Sequence, residues 1–186
     1  MAKNSTKYTK ARENILIALE NIAKDEGLSV KMDYCPPDNI RINPCTLEIV
    51  AETPVNVADK YNINFCVGKQ LSEDIVIPRV CIDLNDSASC EYLQKQDKII
   101  NLHKQANPYM RYGICTFRQG LNLQLIEEDI KNIDFIEALG TVIDYPDKLE
   151  HHLNDLIIEQ VSICETLLRK MYDNGNIRSI RKNLIY

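Results

Sequence analysis

The side chains able to do metal or nucleophilic chemistry are few and scattered. The 186 residues hold three histidines and seven cysteines. His151 and His152 are adjacent, so on a helix they point about 100° apart and do not grip one ion. His103 stands by itself in the sequence. Cys35, Cys45, Cys66, Cys81, Cys90, Cys115 and Cys164 include no C-x-x-C pair. Cys66, Cys81 and Cys115 fall in extended segments and meet only if the register of a sheet brings them together. Free cysteine otherwise behaves as a small buried apolar residue. No histidine lies near a glycine-framed Ser or Cys, so no nucleophile has a base beside it. Glu127-Glu128-Asp129 is a carboxylate run, and adjacent carboxylates face water, whereas catalytic pairs converge from separate elements. Gly68-Lys69-Gln70 lacks both the earlier glycine and the following Ser or Thr of a phosphate loop. The expectation is no catalytic residue, no metal site and no cofactor, hence not an enzyme.

Charge narrows the partners. The net charge is −5, yet residues 1–12 carry Lys3, Lys7, Lys10 and Arg12 with no acid. Residues 176–186 carry Arg178, Arg181 and Lys182, again with no acid. The body between is therefore −12. An acidic body repels phosphate, which disfavours nucleic acid as a partner. No stretch approaches the ~18 apolar residues of a membrane span, so no membrane partner is expected. The odd cysteine count, with a polar and basic N-terminus, predicts free thiols in a reducing compartment and a cytoplasmic location.

The elements that must carry these side chains follow from periodicity. Ala11, Ile15, Ala18, Leu19 and Ile22 make a helical stripe beginning near Tyr8 and closed by Gly27. Leu28, Val30, Met32 and Tyr34 then alternate as a strand, and Pro36-Pro37-Asp38-Asn39 is a turn by its chemistry. Ile40, Ile42, Leu47, Ile49 and Ala51 continue in extended form across Pro44. Tyr61, Ile63, Phe65 and Val67 form another strand. A further run between Val76 and Leu84 is interrupted at Pro78. A second helix spans about Ser89 to Ala106, with Asp86, Ser87 or Ser89 as cap and Pro108 as stop. Met110 to Leu125 reads as a hairpin turning at Arg118-Gln119-Gly120. Ile133, Phe135, Ile136 and Leu139 form a short apolar patch before Gly140. Asp144 and Pro146 open the longest helix, whose stripe is Leu149, Leu153, Leu156, Ile157, Val161, Cys164, Leu167 and Met171. The expectation is one α+β domain over 1–175, an antiparallel sheet packed against helices in the order helix, strands, helix, hairpin, helix. Residues 176–186 form a basic, apolar tail.

The segment from Asn101-Leu102-His103-Lys104-Gln105-Ala106-Asn107 into Met110-Arg111-Tyr112-Gly113-Ile114-Cys115-Thr116-Phe117 carries a family resemblance. With the hairpin and long helix that follow, it resembles the YbjN-like family, whose fold is similar to the class I chaperones of type III secretion. The resemblance spans most of the chain by element order. Its most specific feature is Gly113-x-x-x-Phe117 after an Asn-bearing helix end. Glu52–Asp86 is longer than the family pattern, and Asn176–Tyr186 has no counterpart in it. The resemblance implies a small non-enzymatic module, often dimeric, that binds protein segments or serves in regulation. It transfers no catalytic residue.

These readings lead to a protein-binding module, chaperone-like or regulatory, whose partner is another protein or a further copy of the chain. Ile177, Arg178, Ile180, Arg181, Leu184, Ile185 and Tyr186 are the candidate partner-binding residues, because a solvated tail seldom carries so many apolar side chains. The alternative is a structural part of a larger assembly, such as a phage connector or tail protein, which would place the chain in a virion within a bacterial host.

Overall fold

Alternating apolar residues build strands here, and three long helices cover them on both faces. The computed structural model describes residues 2–36, 39–42, 49–52, 62–117 and 130–173, with side chains for 6–36, 62–117 and 130–170. The elements run α1 (Ala2–Asp25), β1 (Ser29–Tyr34), β2 (Asn39–Ile42), β3 (Ile49–Glu52), β4 (Ile63–Gln70), β5 (Val76–Asn85), α2 (Cys90–Ala106), β6 (Arg111–Thr116), β7 (Phe135–Ala138) and α3 (Pro146–Asp173). The main sheet has the order β1-β4-β5-β6-β7, and β2 and β3 form a separate antiparallel ribbon.

The fold is α+β, but the sheet is mixed rather than antiparallel. β1, β4 and β5 form an antiparallel meander. β5, β6 and β7 are parallel neighbours. The reason lies in α2. A helix inserted between β5 and β6 carries the chain back to the start of the sheet, so β6 enters in the same direction as β5. The arm of the expected hairpin before the turn is β6, paired in parallel on both sides. Its turn and return arm, residues 118–125, lie outside the described residues.

Two cores back the two faces. Ala11, Ile15 and Leu19 of α1, with Leu149, Leu153 and Ile157 of α3, pack on Phe65, Val67, Val80, Ile82 and Cys115. On the other face Ile100 of α2 packs with Cys66, Cys81, Met110 and Tyr112. Residues i and i+1 of each strand thus serve opposite layers, which is the pleat's period of two.

Local chemistry explains most boundaries. Ser89 caps α2, its Oγ accepting from Tyr92 N at 3.2 Å. α1 begins at Ala2, six residues before the predicted Tyr8. Pro78 does not break β5. Its partner there is Gly68 of β4, while pairing with β6 starts only at Val80, so the missing N–H leaves no ladder bond unmade on that side. The register shifts between Val67 and Gly68, where a Cβ on Gly68 would lie 2.2 Å from the Ile77 carbonyl oxygen. Glycine is what admits that close approach.

Candidate functional site

The residues singled out by sequence fall in three groups. Ile177, Arg178, Ile180, Arg181, Leu184, Ile185 and Tyr186 lie outside the described residues, as do Glu127, Glu128, Asp129 and Cys45. Cys66 and Cys81 are brought together as direct partners on β4 and β5, with sulfurs 3.9 Å apart. Cys81 Sγ also lies 3.2 Å from Met110 Sδ. Burial pushes the Cys81 thiol well above its ordinary value, so the group stays protonated. Cys115 points into the opposite core and is also pushed up by burial. These are inert core thiols. Among the described residues no cluster of three His, Cys, Asp or Glu side chains is arranged to hold a metal ion. Among them, too, no helix is long and apolar enough to cross a membrane.

One buried acid sits toward the carboxyl ends of the parallel strands. Asp83 is 7% exposed. Tyr112 Oη donates to Asp83 Oδ2 at 2.7 Å, and Asn64 N donates to Oδ1 at 3.2 Å. Asn64 Oδ1 in turn accepts from Leu84 N at 2.7 Å. Burial pushes Asp83 above the usual carboxylate range, against the lowering effect of those two donors. Both carboxylate oxygens are engaged by the protein itself, which makes this a knot tying β4, β5 and β6 together.

A second constellation faces outward, beside α3. The buried stripe of that helix is Leu149, Leu153, Ile157, Gln160 and Cys164. Turning about 100° per residue leaves Lys148, His152, Asp155 and Glu159 aligned along its flank. This flank and Glu137 of β7 bound an open groove of about 550 Å³, with Val142 and Leu156 as its apolar lining and His151 at its edge. His152 Nε2 lies 3.0 Å from Glu137 Oε1 and ties the helix to the strand. Three carboxylates stand against one lysine, so the groove is acidic when its histidines are neutral. Asp155 and Glu159 are exposed, one helical turn apart, and neither has an ion-pair partner among the described residues.

The groove is positioned by a clasp on the far side of the sheet. Asp97 of α2 accepts through Oδ1 from the backbone N–H groups of Lys131, Asn132 and Ile133, at 3.0, 2.6 and 3.3 Å. Asn132 Nδ2 donates to Asp97 Oδ2 at 2.9 Å. Asp134 then accepts from Lys104 Nζ at 2.6 Å, Tyr112 N at 2.6 Å and Arg111 Nη1 at 2.8 Å. Arg111 Nε donates onward to Gln160 Oε1 of α3 at 2.9 Å. Burial lowers Lys104 below its ordinary value, with Asp134 opposing the shift. The clasp thus fixes where β7 begins, and β7 carries Glu137 three residues on. At the other end Leu139 N donates to Thr116 O at 2.7 Å, and Asn14 Nδ2 of α1 donates to Ile143 O at 2.8 Å, which sets the start of α3.

Sequence reasoning missed this groove. His151 and His152 were visible, but Glu137 lies on a strand that the alternation did not reveal. The charges on α3 have the look of an ordinary solvated face. The chain matches no protein-family model, and a search of curated proteins found no match.

Proposed function

We propose that the chain is a non-enzymatic protein-binding module, chaperone-like or regulatory, that holds a peptide segment in the groove between β7 and α3. The observation that carries this reading is the groove itself: an open trough with two carboxylates that have no ion-pair partner among the described residues, a lysine, two histidines and an apolar lining. A small-molecule site is usually concave and mostly apolar, with few polar groups converging. A trough running about 16 Å along a helix, charged at its rim, suits an extended or helical peptide instead. The buried acid Asp83 offers no competing site, since its oxygens already accept from Asn64 and Tyr112. The YbjN-like resemblance supplies the chaperone-like colour of the reading.

A displayed random peptide library selected on the intact chain tests it. The counter-selection uses Asp155→Lys/Glu159→Lys, whose side chains are exposed and whose change leaves the core untouched. Enriched peptides should be basic with apolar anchors, and they should bind the double variant at least about tenfold more weakly. A selection that yields no binder, or only binders indifferent to the double variant, overturns the reading. Circular dichroism and a melt check that the variant is folded.

A further inference from the structure

We propose that His151 and His152 place the groove under proton control: a cationic segment is held near neutral pH and released as the medium acidifies. The proposal rests on the groove being a peptide site and adds how that site is regulated. Charge is the first argument. Glu137, Asp155 and Glu159 line the groove against Lys148, a net charge of −2 while both imidazoles are neutral. Protonating the two imidazoles brings the lining to zero. Imidazole is the ordinary side chain whose charge changes between about pH 5 and 8, a range over which ordinary carboxylates and ammonium groups keep theirs.

Placement is the second argument. His152 Nε2 lies 3.0 Å from Glu137 Oε1. Along α3, Lys148 precedes His152 by four residues, while Asp155 and Glu159 follow it by three and seven, so all four share one flank. His151 has Asp147 and Lys148 one turn before it and Asp155 one turn after it. The other acids beside the start of α3 are engaged by α1. Lys10 Nζ lies 3.2 Å from Asp144 Oδ1, and Asn21 Nδ2 donates to Glu150 Oε2 at 2.7 Å. Protonation makes the contact of His152 with Glu137 an ion pair, and it sets a charged His151 at ion-pair spacing from Asp155. The chain's own cations then compete with the peptide for those carboxylates.

Access is the third argument. The side chains of His152 and Glu137 are 41% and 30% exposed, so protons reach them without any part of the fold opening. The buried acid Asp83 is a separate titration. It is bonded to Tyr112 within the core under α2, whereas the groove lies beside α3. Acidification thus acts on the groove through its two histidines. Linkage makes the effect reciprocal. A cationic peptide in place disfavours the protonated imidazoles, so binding expels protons wherever the histidines are part-protonated.

The test uses the full-length chain and one basic peptide taken from the groove-dependent selection, blocked at both ends and free of histidine and acids. Titration calorimetry at low, fixed ionic strength reads its affinity at about pH 8 and about pH 5.5. Binding should be at least about threefold weaker at the lower pH. At about pH 6.5 the heat should vary with the ionisation enthalpy of the buffer in the sense of protons released. His151→Gln/His152→Gln keeps a polar amide at two exposed positions and should bind equally well at both pH values. If the double variant does not fold, the single changes His151→Gln and His152→Gln serve, and each should lessen the response. Wild-type affinity that ignores pH, binding that releases no protons, or histidine variants that keep the full response overturn the proposal. The two ideas fail distinguishably. A peptide held equally at both pH values by a groove that needs Asp155 and Glu159 leaves the peptide site standing, and only the proton control falls. If no groove-dependent peptide is selected, both fall.

Discussion

Gly113 and Phe135 are direct partners on β6 and β7, and the ring of Phe135 occupies the space a side chain on Gly113 would need. A Cβ placed there would come within 1.9 Å of the ring. The glycine that looked like a mark of the Gly113-x-x-x-Phe117 strand is thus a seat for an aromatic ring from the next strand. Gly113→Ala should cost about 1–3 kcal/mol through overpacking. Phe135→Leu in the same chain should recover part of that loss, giving a favourable coupling in a double-mutant cycle. Strictly additive losses in denaturant melts contradict this contact.

Asp83 makes stability depend on pH with a defined sign. Its pKa in the fold is raised by burial, above the unfolded value of about 3.9. Between those two values the native state binds more protons than the unfolded chain. The contribution of Asp83 is therefore greatest below about 3.9 and is lost as pH rises through the folded pKa. Asp83→Asn keeps a carbonyl acceptor for one donor and removes the titration. The amide leaves one of the two donors facing another donor, so the variant should melt below wild type at acid pH. The gap should narrow as pH rises through the folded pKa, where wild type loses the contribution of the protonated acid. A gap that is the same at every pH contradicts a raised Asp83.

Much of this fold is legible in the sequence, and the failures have physical causes. The stripe Leu149, Leu153, Ile157 and Cys164 is the buried face of α3, as its spacing of four and seven requires. Ser89 is the cap its side chain suits. Strand direction was not legible, because the pleat has a period of two whichever way the neighbour runs. β7 escaped because all four of its residues are half-buried, so Phe135 to Ala138 shows no alternation. The groove escaped because Glu137 and Asp155 lie on different elements, and which side chains meet across elements is not written in the periodicity of either. The clasp of Asp134 with Lys104 and Arg111 escaped for the same reason.

Thiol reactivity should follow burial. Cys90 is exposed and Cys35 half-buried, whereas Cys66, Cys81, Cys115 and Cys164 are buried. Burial pushes Cys164 up to about 12, so little thiolate forms near neutral pH. Among the described thiols, a colorimetric reagent on the native protein should label Cys90 first and Cys35 next, with the four buried ones reacting only on unfolding. Denatured without reductant, the chain should show close to its seven thiols. Rapid native labelling of Cys81 would contradict its place in the core, and a denatured count well below seven would contradict free thiols.

The last prediction concerns Asp97, a half-buried acid on α2 that its sequence context does not single out. Its Oδ1 gathers three successive backbone N–H groups, and its Oδ2 holds Asn132. Asp97→Ala should therefore free the turn and cost about 1–3 kcal/mol, the penalty for part-buried donors left without partners. The loss should be local first. The amides of Asp134 and Leu139, which donate to Tyr112 O and Thr116 O, should lose hydrogen-exchange protection before those of β4 and β5. Asp97→Asn keeps one acceptor oxygen and should lose less. Because β7 carries Glu137, the alanine variant should also bind groove peptides more weakly without touching them. An alanine variant that melts like wild type, with Asp134 and Leu139 still protected, would mean that the turn holds itself and that Asp97 does not set the position of the groove.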